Sequence, residues 1–149
     1  MVIVIFGESC TGKTTLATAL RLKIPIAVYS GKDYLQLSKS EPEAERIFSQ
    51  YLKERVQGRG SALWAVGERA LLRLAPDGAF RVRLTADLPL IKARFAARSG
   101  GLMPPTVAIM LERKHGGFDG EPCELAVHNL SETNLDEVVQ TILGRVQEG

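Results

Sequence analysis

Eight residues near the start of the chain, Gly7-Glu8-Ser9-Cys10-Thr11-Gly12-Lys13-Thr14, fit the spacing G-x-x-x-x-G-K-[ST] in full. No other feature restricts the fold as strongly. The run before it, Val2 to Phe6, is wholly apolar and rich in β-branched residues, which suits a strand buried on both faces. Behind it, Leu16, Ala19 and Leu20 recur at helical spacing until Pro25 closes the helix. Glycines at both ends let the backbone turn where a Cβ would clash, so that successive N–H groups point into one concavity. The helix N-terminus adds its partial positive charge to that nest. Such a turn holds anionic oxygens. The expected ligand is the phosphate chain of a nucleoside triphosphate. Lys13 would reach the β- and γ-phosphates, the Thr14 hydroxyl would ligate Mg2+, and Thr15 would add a phosphate donor.

The rest of the chain alternates strand and helix patterns. Ile26 to Tyr29 is a second apolar run, broken by Ser30-Gly31-Lys32. Ser40-Glu41-Pro42-Glu43 reads as a capping box. The helix behind it presents Ile47, Phe48, Tyr51, Leu52 and Val56 until Gly58 and Gly60 stop it. Ala62 to Val66 is the third strand pattern and Phe80 to Leu84 the fourth, after a Pro76-Asp77-Gly78 turn. Arg81 and Arg83 alternate with the apolar residues of that strand, so they need partners or an exposed strand end. Asp87-Leu88-Pro89 starts a helix that Ser99-Gly100-Gly101 ends, and Asp87 reads as its N-cap rather than a metal ligand. Gly101 to Pro122 is rich in Gly, Pro and charge, with one helical piece from Thr106 to His115. Leu125 to Val127 is the last strand, and the closing helix buries Leu135, Val138, Val139, Ile142 and Val146. Alternation of this kind predicts an α/β fold of three layers, with a five-stranded parallel sheet between helices and right-handed crossovers.

A chain of 149 residues with 45% hydrophobic content suits one domain over residues 1–149. A net charge of +2, with Lys and Arg dispersed, gives no nucleic-acid or membrane surface. Two cysteines without CxxC spacing and two histidines offer no structural metal site. No apolar run approaches the roughly 18 residues of a membrane span, and no basic segment precedes Val2. The sequence reads as cytoplasmic.

N-K-x-D and D-x-x-G patterns, with which Ras-type GTPases read guanine and place water, do not occur. Met1 to Leu20 instead looks like the opening of nucleoside monophosphate kinases, shikimate kinase and gluconate kinase. Tyr29 to Gln36 resembles the start of the acceptor region in adenylate and cytidylate kinases. Arg81 to Asp87, followed by a helix bearing Arg94 and Arg98, resembles the strand and lid approach of the cytidylate kinase-like group. Ala126 to Leu130, with Leu135 to Val139, resembles that group's last strand, adenine-side loop and C-terminal helix. The likeness implies a P-loop NTPase fold with strand order 2-3-1-4-5, an acceptor region at about 30–60 and a lid at about 99–122.

It also implies roles. Arg94 and Arg98, one helical turn apart, would clamp the transferring phosphoryl group, unless they are merely solvated. Asp33 would serve the acceptor as base or hydroxyl ligand, or else cap a helix. Arg69 would bind an acceptor phosphate and Glu68 would sit behind the magnesium, although both are also plain surface charges. Gln36 stands where adenylate kinases place an acceptor arginine, and the third strand lacks the Asp that many relatives carry at its end. Neither Cys10 nor the isolated His115 and His128 is assigned a catalytic part. The activity implied is ATP-dependent transfer of the γ-phosphoryl group to a small molecule, such as a nucleoside monophosphate like CMP. The alternative is a nucleotide-binding regulatory protein with little catalysis.

Overall fold

The apolar run behind Met1 becomes the central strand of the molecule. In a computed structural model describing residues 1–148, the strands are β1 (Val2–Phe6), β2 (Ala27–Ser30), β3 (Ala62–Val66), β4 (Phe80–Thr85) and β5 (Leu125–His128). The helices are α1 (Lys13–Lys23), α2 (Glu41–Val56), α3 (Leu88–Arg98), α4 (Pro105–Lys114) and α5 (Leu135–Glu148). All strands run parallel in one sheet, ordered β2-β3-β1-β4-β5. Both the alternation reading and the strand order hold.

Strand alternation sorts β1 between two cores. Val2, Val4 and Phe6 pack with Phe48, Leu52 and Trp64 on the α2 side. Ile3 and Ile5 pack with Leu16, Leu20, Val82 and Ile142 on the side of α1 and α5. Every residue of β1 is buried, as a strand covered by helices on both faces must be. β2 lies at the sheet edge and is only half-buried, one residue displaced from the expected run. Ser40 caps α2 by accepting the Glu43 N–H, as the capping-box spacing predicts.

The awkward alternation of β4 has a simple resolution. Arg81 and Arg83 pair in register with Val4 and Phe6 and so face the α2 side. There the segment after α4 covers them. Phe118 packs on Phe6 at 5.6 Å between ring centroids, and Arg83 Nη1 donates to the Glu121 carbonyl at 2.8 Å. Asp87 stands at the N-cap position of α3, but its carboxylate caps nothing. It accepts instead from Asn129 Nδ2 and bonds His128 Nε2, each at 2.9 Å, tying α3 to the loop after β5. Those two hydrogen bonds, Asn129 first, hold its carboxyl below the usual aspartate range.

No helix among the described residues is long and apolar enough to cross a membrane.

Candidate active site

The glycine-bounded turn leaves β1 between β3 and β4, at the carboxyl edge of the sheet, where its geometry is set by backbone crowding. The Gly7 N–H donates to Val66 of β3 at 3.1 Å. A Cβ on Gly7 would lie deep inside the Leu84 carbonyl oxygen and 2.9 Å from Thr11 Oγ1. Gly12 has φ 102°, and a Cβ there would meet Leu130 at 2.8 Å. Both glycines are therefore obligatory, one for close approach and one for backbone conformation. Thr11 Oγ1 donates to the Glu8 carbonyl at 2.8 Å, closing the loop from within.

Lys13 Nζ donates to the carbonyls of Gly7 and Glu8, at 2.8 and 2.7 Å. Burial pushes this ammonium down to about 8, and Arg98 pushes the same way against the opposing pull of Cys10 and Glu8. Phosphate charges favour the ammonium form, so the sign of the linkage follows. Below about pH 8 the lysine is already charged, and binding of a triphosphate would take up no proton through it. Above that value binding must protonate it, and affinity falls as pH rises toward the ordinary lysine value. Calorimetry in buffers of different ionisation heat should detect proton uptake at about pH 9 that disappears at about pH 7. Equal uptake at both would contradict the assignment.

Different residues of this one loop line two cavities. The first, about 280 Å³, is bounded by Cys10, Gly12, Thr15, Arg94, Arg98 and the segment Leu130 to Leu135. The second, about 400 Å³, is bounded by Glu8, Ser9, the Gly67–Ala70 turn after β3, and residues of α4 and the segment behind it. Its walls mix apolar Met110, Leu111 and Phe118 with the cations Arg69, Arg113 and Lys114.

Several expected residues meet here, and others do not. Arg94 and Arg98 both line the first cavity, yet they differ: Arg94 Nη1 donates to the Cys10 carbonyl at 2.7 Å, whereas Arg98 is exposed. Cys10, at φ 65°, thus receives a side-chain brace beneath a left-handed residue. Arg69 lines the second cavity with its guanidinium held by Glu121. Glu68 lines it too and pairs loosely with Lys32 at 4.0 Å. Asp33 and Gln36 line neither cavity. The Asp33 carboxylate accepts the N–H of Ser30, three residues back at the end of β2, at 2.9 Å, and so caps no helix. Within the segment expected as a lid, about 99–122, lies a ten-residue helix, α4, packed on α3 through Ile91 and Leu111 and through a Lys92–Glu112 ion pair.

The glycine cradle and the exposed Thr14 hydroxyl in the first turn of α1 fit magnesium bound chiefly through phosphate oxygens. Among the described residues no cluster of three His, Cys, Asp or Glu is placed to hold a metal by itself.

Sequence reasoning missed two long-range pairings. Glu8, buried at 8% exposure, is bonded by His115 Nδ1 at 3.1 Å and accepts the Gly116 N–H at 2.8 Å. Glu121 orients Arg69 across 52 residues of sequence. No spacing signals either pair; the Gly116-Gly117 turn is the nearest hint.

No protein-family model matches the sequence, and no curated protein matches it. Solved structures do. A gluconokinase from Sinorhizobium meliloti superposes with a TM-score of 0.61 at 20% identity, over 99% of this chain and 91% of that one. Shikimate kinase from Acinetobacter baumannii, solved with shikimate, gives 0.63 at 16% identity, over 99% and 93%. The fold is that of the P-loop kinases. The tunicamycin resistance protein of Deinococcus radiodurans shares this P-loop kinase fold, at 0.66 and 18% identity over 97% and 94% of the two chains.

Proposed function

We propose that this chain is an ATP-dependent phosphotransferase that moves the γ-phosphoryl group to a small molecule. One observation carries the reading: a single phosphate loop faces two separate cavities, with Cys10, Gly12 and Thr15 on one and Glu8 and Ser9 on the other. A nucleotide switch or a simple ATPase needs only the first. The names of the fold neighbours, a gluconokinase and a shikimate kinase, support the same reaction class.

The triphosphate would enter through the first cavity, with the base beside Leu130 and Leu135 and the phosphates on the loop amides. Thr14 would hold magnesium through its hydroxyl, and the ion would supply charge neutralisation at the phosphates. Lys13 would exchange its two carbonyl partners for phosphate oxygens, and Arg98 would clamp the transferring group. The loose transition state asks mainly for positioning and charge stabilisation, which these groups supply. In the second cavity, Arg69, Arg113 and Lys114 suit an anionic acceptor whose apolar part rests on Met110, Leu111 and Phe118. Arg69 held by Glu121 suits a phosphate or a carboxylate, so CMP and hydroxy acids both belong in the test.

Labelled ATP with magnesium and a panel of nucleoside monophosphates, sugar acids and other hydroxy acids checks the proposal. Transfer to one class is the expected result. Binding without any transfer makes the chain a regulatory nucleotide binder, and phosphate release independent of acceptor makes it an ATPase.

The two arginines should separate by kinetics. Arg98→Ala is expected to lower turnover by about 10²-fold with little change in donor affinity. Arg94→Ala removes the brace on Cys10 and should weaken donor binding as well. Identical profiles for the two variants would refute the distinction.

A further inference from the structure

Two arginines break the apolar pattern of β4, and the packing described above satisfies only one of them. Arg83 donates to the Glu121 carbonyl. Arg81 lies two residues earlier on the same face, in a strand flanked by β1 and β5, where an apolar residue would ordinarily sit. It is half-buried, and among the described residues its guanidinium makes no hydrogen bond and no ion pair. The Glu124 carboxylate beside it accepts the Arg81 backbone N–H at 2.6 Å instead. A partly desolvated guanidinium without acceptors is unfavourable, and an anion that supplies them offsets the cost.

Arg81 lines a third cavity, of about 530 Å³, together with Arg69, Arg73 and Glu121. Arg69 and Arg73 come from the turn after β3, and Arg81 from β4. The carboxylates at this wall are already engaged. Glu121 accepts from Arg69 Nε, and Glu45 accepts from both Nη atoms of Arg73, at 3.1 and 2.7 Å. These pairs orient two guanidiniums without neutralising the wall, because three positive groups meet two negative ones and the unmatched charge is that of Arg81. Among the described residues both Nη atoms of Arg69 and the whole Arg81 fork lack a partner. One fork saturates the two oxygens of a carboxylate, whereas two forks from different elements suit the three terminal oxygens of a phosphate group.

We infer that this third cavity is a binding site for a phosphate dianion, held between Arg69 and Arg81. No residue of the phosphate loop lines it, and it shares with the acceptor cavity only Arg69 and Ala70. Arg81 belongs to the new site and to neither of the two cavities on the loop.

Because the phosphate loop also takes phosphate, the test begins with that loop filled by a non-hydrolysable magnesium-ATP analogue. Inorganic phosphate is then titrated by calorimetry at constant ionic strength, with chloride as the balancing anion. Uptake of phosphate is expected, with a saturating shift of the Arg81 Nε–H resonance in nitrogen-edited NMR. Arg81→Gln should weaken that uptake by about tenfold or more and leave nucleotide affinity unchanged. Arg81→Lys keeps the charge without the fork and should retain part of it. Lys114 lines the acceptor cavity and not this one, so Lys114→Gln should bind phosphate as the parent does. Absence of phosphate uptake overturns the site, as does uptake that survives in Arg81→Gln or is lost in Lys114→Gln. If Arg81→Gln fails to fold, the Arg81 resonance of the parent protein decides: a saturating shift upholds the site and a still resonance overturns it. A protein that takes up no nucleotide loses the functional reading above, while the Arg81 resonance still reports on this cavity.

Discussion

Lys13→Ala is expected to abolish phosphoryl transfer and to weaken binding of magnesium-ATP. The side chain reaches the Gly7 and Glu8 carbonyls, so its ammonium already sits over the mouth of the loop. Partial desolvation, seen in the fall to about 8, means that the charge acts through little intervening water. Removing one donor of this kind from a transition-state cradle costs about 10²–10³-fold in turnover, and the lost positive charge adds to that. Triphosphate affinity should fall about tenfold or more, since a charge-assisted hydrogen bond contributes roughly 1.5–3 kcal/mol. Stability should change little, because deletion relieves a buried charge while removing two hydrogen bonds. Turnover measured beside nucleotide titration and a melting curve checks all three statements. Wild-type turnover would end the functional account.

Gly7→Ala should damage fold and site together. The new Cβ would press into the Leu84 carbonyl, which belongs to the neighbouring strand β4 and cannot rotate away as a side chain could. Relief requires parting β1 from β4 or pushing the loop outward, and overpacking of this kind costs about 1–3 kcal/mol or more. The clash is with backbone, so about 3 kcal/mol is expected, which lowers the melting temperature of a chain this size by roughly 6–12 °C. Nucleotide binding should be lost even at temperatures where the chain remains folded, because the amides that form the nest are displaced. Gly144→Ala in α5 is the control. Nothing lies within 4 Å of its Cβ, and helix propensity makes the same change stabilising by about 0.5–1 kcal/mol. Equal melting temperatures for the two variants would show that the close approach at Gly7 is not what constrains that position.

The contrast between these glycines shows where sequence reading reaches its limit. Gly7 and Gly12 are marked by spacing alone, because the turn is a contiguous backbone device and its requirements fall at fixed offsets. β1 was legible for a similar reason, since a strand buried on both faces must be continuously apolar. Arg94 and Arg98 were legible as a pair on one helix face but not in their different surroundings. That difference depends on the Cys10 carbonyl, 84 residues away in sequence. The surroundings of Asp33 were not legible either: its short side chain accepts from a backbone N–H three residues earlier, a local satisfaction that an acceptor role would have to displace.

The sequence by itself determined the anion cradle, the strand and helix that flank it, and an alternation that only a parallel, helix-covered sheet satisfies. Each of these rests on near-neighbour sterics or on hydrophobic periodicity, which residue order carries directly. Tertiary structure decided what surrounds the cradle: the two cavities, the Glu121 grip on Arg69, and the Glu8–His115 pair joining the loop to a segment 107 residues later. Such pairings are set by where packed layers bring side chains into reach, and hydrogen bonds form with whatever complementary group arrives there.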